Sequence, residues 1–178
     1  IHKVPVLGSL DEIRGTWLEI RGLNCGVPGS NWEGGYDALP CRSSSWVNAA
    51  QRWWYHTSFC APAENGNCNE KGAVHLIAEP RLSDQEPGLL EVIYINPPLQ
   101  PQNERWYILS RPDPDWIMYT YCGSTPVGEY AGVNVITRAA EPSNAALPPE
   151  VDAAFRQAAR EFNFSYEEMC ITDQSQCP

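Results

Sequence analysis

Gly15-Thr16-Trp17-Leu18-Glu19-Ile20-Arg21-Gly22-Leu23 is the stretch on which the fold turns. From Thr16 to Leu23 it reads as a strand, opened by Gly15-Thr16-Trp17 and preceded by a short Asp11–Arg14 turn with helical character. Downstream, residues 24–42 form a long loop rich in glycine and proline. Short aromatic and β-branched runs follow at Ser43–Val47, Arg52–Phe59, Ala73–Ala78, Leu89–Ile95, Trp106–Ser110, Trp116–Tyr121 and Val133–Thr137. Pro80, Pro87, Pro97, Pro98 and Pro101 punctuate them. About eight short strands with turn signals between them imply a closed antiparallel sheet or a sandwich. After Pro148-Pro149, the residues Val151, Ala154, Phe155, Ala158, Ala159 and Phe162 recur at helical spacing, giving an amphipathic helix over about 150–161. The expectation is an all-β chain: one eight-stranded antiparallel barrel with a C-terminal α-helix.

Charge narrows the partners. Twelve basic residues against 22 acidic ones leave a net charge of -10 over 178 residues. No Lys/Arg cluster rises above that background, which argues against nucleic acid and against charge-driven membrane binding. No apolar run is long enough for a membrane-spanning helix, so the membrane relation is peripheral at most. Ile1 rather than Met opens the chain, and no signal-peptide pattern follows, which reads as a processed or truncated product.

Seven cysteines are scattered at Cys25, Cys41, Cys60, Cys68, Cys122, Cys170 and Cys177. None makes a CxxC, and His2, His56 and His75 show no zinc spacing, so no metal site is expected. The set reads as a disulfide framework of an oxidising compartment, with one cysteine left over from three bridges and the tail tied to the barrel through Cys170 or Cys177. His56 and His75 each stand alone in their segments, as pH sensors or as ordinary hydrogen-bonded histidines. Asn163-Phe164-Ser165 is a formal glycosylation sequon, used only on a secretory route.

Gly15-x-Trp17 at the start of a strand series, with a helix after the last strand, resembles the lipocalins. The resemblance implies that Trp17 plugs the closed barrel end and that Arg138, just after Val133–Thr137, lies across its ring. Further motifs narrow it. They are Trp106-Tyr107-Ile108-Leu109-Ser110, Tyr119-x-Tyr121, Val135-x-Thr137-Arg138, Ala158-Ala159-Arg160 with Phe162, and Thr172-Asp173 before Cys177. Together with Gly15–Asn24 these resemble the lipocalin domain of violaxanthin de-epoxidase and its algal relatives, from about residue 13 to 177. The chain is then one domain over 1–178: barrel about 13–138, helix about 150–161, and a disulfide-tied tail over 162–178.

That family reduces carotenoid epoxides in the chloroplast thylakoid lumen, with ascorbate as reductant, when the lumen acidifies. Its cysteine-rich domain and Glu-rich tail have no counterpart in this chain. The resemblance makes Asp37 the candidate catalytic acid at the barrel mouth, although Pro40 replaces the acid that the family places directly before the cysteine. A carboxyl group doing such work needs an apolar cavity and a raised pKa; the alternative is a solvated loop aspartate. Tyr119 and Tyr121 share one strand face and are candidate ligand-lining residues, with Met118 and Thr120 opposite. Trp53 and Trp106 join them from an aromatic supply that includes Trp32, Trp46 and Trp54; adjacent Trp53 and Trp54 face opposite ways on a strand. The competing reading for all of them is barrel packing.

Three functions follow as expectations. The first is a thylakoid-lumen protein that binds a carotenoid or docks on a photosystem or antenna complex without catalysis by itself. The second is a xanthophyll de-epoxidase or a fragment of one, using ascorbate as co-substrate. The third is an extracellular carrier of a small hydrophobic ligand. No covalent cofactor is implied by any of them.

Overall fold

A computed structural model describes residues 5–24, 41–60, 73–95, 103–125, 128–138, 147–172 and 174. The strands are β1 (Gly15–Asn24), β2 (Ser43–Ala49), β3 (Arg52–Cys60), β4 (Ala73–Leu82), β5 (Leu89–Tyr94), β6 (Asn103–Asp113), β7 (Trp116–Thr125) and β8 (Gly128–Thr137). Each pairs antiparallel with the next, and β1 closes the ring by pairing with β8 through Leu18–Asn24 and with β2 through Gly15–Leu18. Helix α1 spans Pro149–Glu161, and a two-residue strand, β9 (Cys170–Ile171), adds to β1 at Arg21–Gly22. This is the expected eight-stranded barrel with a C-terminal helix, and of the closed sheet and the sandwich that the strand runs leave open, the chain forms the closed sheet.

Two apolar layers hold it together. The inward face of the strands supplies Trp17, Trp46, Tyr55, Phe59, Leu76, Leu90, Val92, Trp106, Ile108, Ile117, Tyr119 and Ile136. The outward face of β1, β6, β7 and β8 supplies Ile20, Leu109, Met118, Val133 and Val135, and these are covered by Val151, Phe155, Ala158 and Ala159 of α1. Alternation of period two sorts each strand between the layers: Tyr119 and Tyr121 go inside while Met118 goes outside.

Strand ends differ from the sequence reading where prolines and polar runs intervene. β4 continues through Pro80 to Leu82, with Pro80 opposite Val92 of β5. Its pairing with β3 stops at Ala78, so the proline sits where only one neighbouring strand needs a ladder. β6 begins at Asn103, three residues before Trp106, which carries Glu104 into the barrel wall.

The closed end is built around Trp17, which is 0% exposed. A single 3-10 turn, Leu10–Ile13, is held by a capping box between Ser9 and Glu12, and its last carbonyl accepts the Trp17 indole N–H at 2.8 Å. The chain then turns sharply into β1 at Gly15, whose φ of +107° is a conformation that L side chains rarely adopt. Arg138 lies over the Trp17 ring at 4.3 Å and donates to the carbonyls of Glu12 and Arg14, both at 2.9 Å. The last strand is thereby fastened to the segment that enters the first. The other side of β1 is fastened by the tail. Where β1 and β2 part, Gln174 Nε2 donates to the carbonyls of Glu19 and Arg42 at 2.7 and 2.9 Å, and Thr172 N–H donates to Ile20.

Arg138→Met is expected to cost about 2–3 kcal/mol, because it removes the cation–π contact together with two charge-assisted hydrogen bonds. Urea unfolding followed by tryptophan emission measures this, and an unchanged midpoint would show that the closed end does not depend on Arg138.

Candidate functional site

Inside the barrel the wall is aromatic, but its centre is polar. Glu104 projects inward from β6 and is 7% exposed. Its carboxylate accepts from Trp106 Nε1 at 2.7 Å, from the Tyr130 hydroxyl at 2.6 Å and from the Tyr94 hydroxyl at 3.3 Å. Burial raises its pKa above the ordinary value of 4.5, and the hydrogen bonds from Tyr130, Trp106 and Tyr94 offset only part of that rise. Packing brings the rings to it. Trp106 stacks on Tyr119 at 4.5 Å with planes 16° apart, while Trp46 and Tyr55 meet Trp106 edge-on at 5.7 and 5.2 Å. Small residues make the space. A Cβ on Gly132 would stand 2.6 Å from the Leu23 carbonyl and 2.5 Å from the Tyr121 hydroxyl.

A second charged group lies nearby. Arg42 and Glu19 form a buried ion pair at 2.6 Å, at the point where β1 and β2 separate. Burial also pushes the Tyr55 and Tyr119 hydroxyls up, so both are neutral donors across the physiological range. Arg42, Thr57, Glu104, Tyr119, Tyr121 and Asn134 all reach one small space of about 10 Å³, room for about one water. The arrangement therefore sets a buried carboxyl group, its pKa raised by burial, among several hydroxyls within an aromatic cage, groups able to pass a proton to a buried oxygen.

Of the ligand-lining residues expected from sequence, Trp106, Tyr119 and Tyr121 come together here. Trp53 does not join them: it is half-buried at the edge of the interior core, under the Arg14 guanidinium at 5.3 Å. Gly15, Trp17 and Arg138 are assembled at the closed end. Asp37 lies outside the described residues, as do Trp32, Cys25, Cys68 and Cys177. Cys41 and Cys60 are each disulfide-bonded, whereas Cys122 carries a free, exposed thiol. Cys170 Sγ lies 3.1 Å from the Gly22 carbonyl, and the β9 pairing, Thr172 N–H to Ile20 and Gln174 tie the tail to β1. His56 and His75, each alone in its own segment, are brought together by the sheet. Their rings stack at 5.4 Å across β3 and β4, and burial followed by the charge of His75 lowers the His56 pKa.

Sequence reasoning passed over Glu104, Asn134 and the Glu19–Arg42 pair. A signal for Glu104 was present: it stands two residues before Trp106 and therefore on the same strand face.

Glu104 ties stability to pH. Its folded-state pKa is raised, so the folded chain holds this proton more tightly than the unfolded chain does. Its contribution is complete below the ordinary carboxyl pKa and is lost as pH climbs through the folded value. The wild-type urea midpoint is expected to fall on going from about pH 5 to about pH 8, and that of Glu104→Gln to fall less. Equal slopes would place the Glu104 carboxylate in contact with solvent.

A protein-family comparison matches residues 7–174 to the VDE lipocalin domain. Solved structures repeat the barrel at low identity. Insecticyanin from the tobacco hornworm Manduca sexta has 13% identity and a TM-score of 0.66, covering 99% of this chain and 86% of that one. Lobster apocrustacyanin A1 has 15% identity and a TM-score of 0.61, covering 94% and 81%. The siderocalin Ex-FABP has 16% identity and a TM-score of 0.59, covering 92% and 95%. No curated protein sequence gives a significant match. The structural likenesses give the lipocalin barrel, the family match spans nearly the whole chain, and the chain belongs to the VDE lipocalin domain family.

Proposed function

We propose that this chain is a non-catalytic member of its family that docks on a photosynthetic pigment–protein complex in the thylakoid lumen. The observation that carries this reading is the aromatic packing of the barrel interior among the described residues. Ligand pockets for small molecules run to about 300–1,000 Å³, and the aromatic cage around Glu104 leaves about 10 Å³. A carotenoid end ring would have to displace Trp106 or Tyr121 to enter. The interior acts as a stiff core, and recognition falls to the outside.

The wall away from α1 supports the same reading. On the outer face of β2–β5, Val47 is 48% and Ile95 is 52% exposed. Val47 stands opposite Trp54, Ile95 donates its N–H to the Ile77 carbonyl, and Ile93 stands opposite Glu79. Trp54, Ile77 and Ile93 are half-buried, so an apolar strip crosses four strands. Such a strip fits the protein surface of a larger assembly.

De-epoxidation is the second reading, favoured by the raised pKa of Glu104 beside the Tyr121 and Tyr130 rings. It needs ascorbate to supply the electrons, because a carboxyl group provides only the proton.

Purified photosystem and antenna complexes, mixed with the chain and separated on a density gradient, test the proposal. The chain is expected to co-migrate in fixed stoichiometry, and Val47→Glu with Ile93→Glu to weaken binding at least about tenfold. Violaxanthin with ascorbate at about pH 5 is expected to stay unconverted. Turnover that disappears in Glu104→Gln would replace this reading with the enzymatic one.

A further inference from the structure

Asn134 is the residue that does not fit its strand. β8 reads Val133-Asn134-Val135-Ile136, and its inward positions are Asn134 and Ile136. An apolar side chain would match the layer, yet an amide stands there at 1% exposure. Its Nδ2 donates to the Tyr119 hydroxyl at 3.1 Å. Its Oδ1 has no hydrogen-bond partner among the protein atoms of the described residues, and it borders the space shared with Arg42, Thr57 and Glu104. A buried amide oxygen left unpaired is costly and rare.

Tyr119 completes the pattern. Its oxygen already accepts from Asn134, so its own O–H is free to donate elsewhere. The pair thus offers one acceptor and one donor beside a space for a single oxygen atom. If the amide is turned over, Tyr119 donates to Oδ1 and Nδ2 becomes the group that needs a partner. An occupant that both donates and accepts satisfies either arrangement. A carbonyl cannot donate. A cation would face the Arg42 guanidinium, and an anion would face Glu19, which holds that guanidinium.

We propose that the Asn134–Tyr119 pair is a built site for one hydroxyl-type oxygen, occupied by a resident water. Its role is positional. Tyr119 is the ring on which Trp106 stacks, and Trp106 in turn donates to Glu104. The water fixes the Tyr119 hydroxyl and, through it, the cage around the acid.

Two measurements test the proposal. A high-resolution crystal structure of the wild-type chain is expected to show one oxygen at about 2.7–3.2 Å from the Asn134 amide. A space without density there would overturn the site. If the density instead continues into a bound molecule, the oxygen is a ligand hydroxyl, and the resident-water assignment fails. Thermal unfolding supplies the second measurement. Asn134→Leu is expected to lower Tm by about 3–6 °C and to sharpen less of the near-ultraviolet tryptophan signal, since a satisfied amide is being lost. Asn134→Leu/Tyr119→Phe is expected to recover part of that loss. A rise in Tm for Asn134→Leu would mean that an unsatisfied group had been removed and would contradict an occupied site. The wild-type crystal decides the matter even if neither variant folds.

Discussion

Trp106 joins the parts of this barrel that would otherwise conflict. Its ring stacks on Tyr119 and takes the edges of Trp46 and Tyr55, which fills the interior. Its N–H goes to Glu104, which lets a carboxyl group stay in that interior. Without an N–H from the ring, the acid would lose one of the donors that offset its burial. Without the acid, the buried indole N–H would need another acceptor. The aromatic core and the buried acid are therefore one arrangement.

The remainder of the fold keeps that arrangement closed. Arg138 pins the end of β8 to the segment before β1, over Trp17. Gln174 and β9 secure the opposite edge of β1, where the Glu19–Arg42 pair meets the interior. Helix α1 covers the outer face of β1 and β6–β8. Among the described residues the barrel is held at its seam and packed with aromatic rings within, and its β2–β5 wall carries an apolar strip.

Much of this was legible in residues 15–23. Gly15-x-Trp17 and the period-two runs give the barrel, and the spacing of Val151, Phe155, Ala158 and Ala159 gives the helix and its buried face. Tyr119 and Tyr121 could be placed on one face by counting. The polar centre was harder. Glu104 lies in Asn103-Glu104-Arg105, a run whose composition suggests a loop, and only its offset of two from Trp106 marks it as inward. Pairings across strands carry no local trace: the His56–His75 stack and the Glu19–Arg42 bridge depend on register, which the sequence leaves open. Pro80 ended β4 too early in the sequence reading because the free edge that tolerates it is a tertiary property.

A fluorescence titration reports whether the interior is closed to guests. Trp106 and Trp46 line the cage, so a ring or polyene entering the barrel must quench their emission. Titrating the chain with β-ionone and with all-trans-retinol is expected to give a weak, linear decline with no saturation. Saturable, stoichiometric quenching by either compound, lost when Trp106 is replaced by Phe, would show instead that the barrel opens to a ligand.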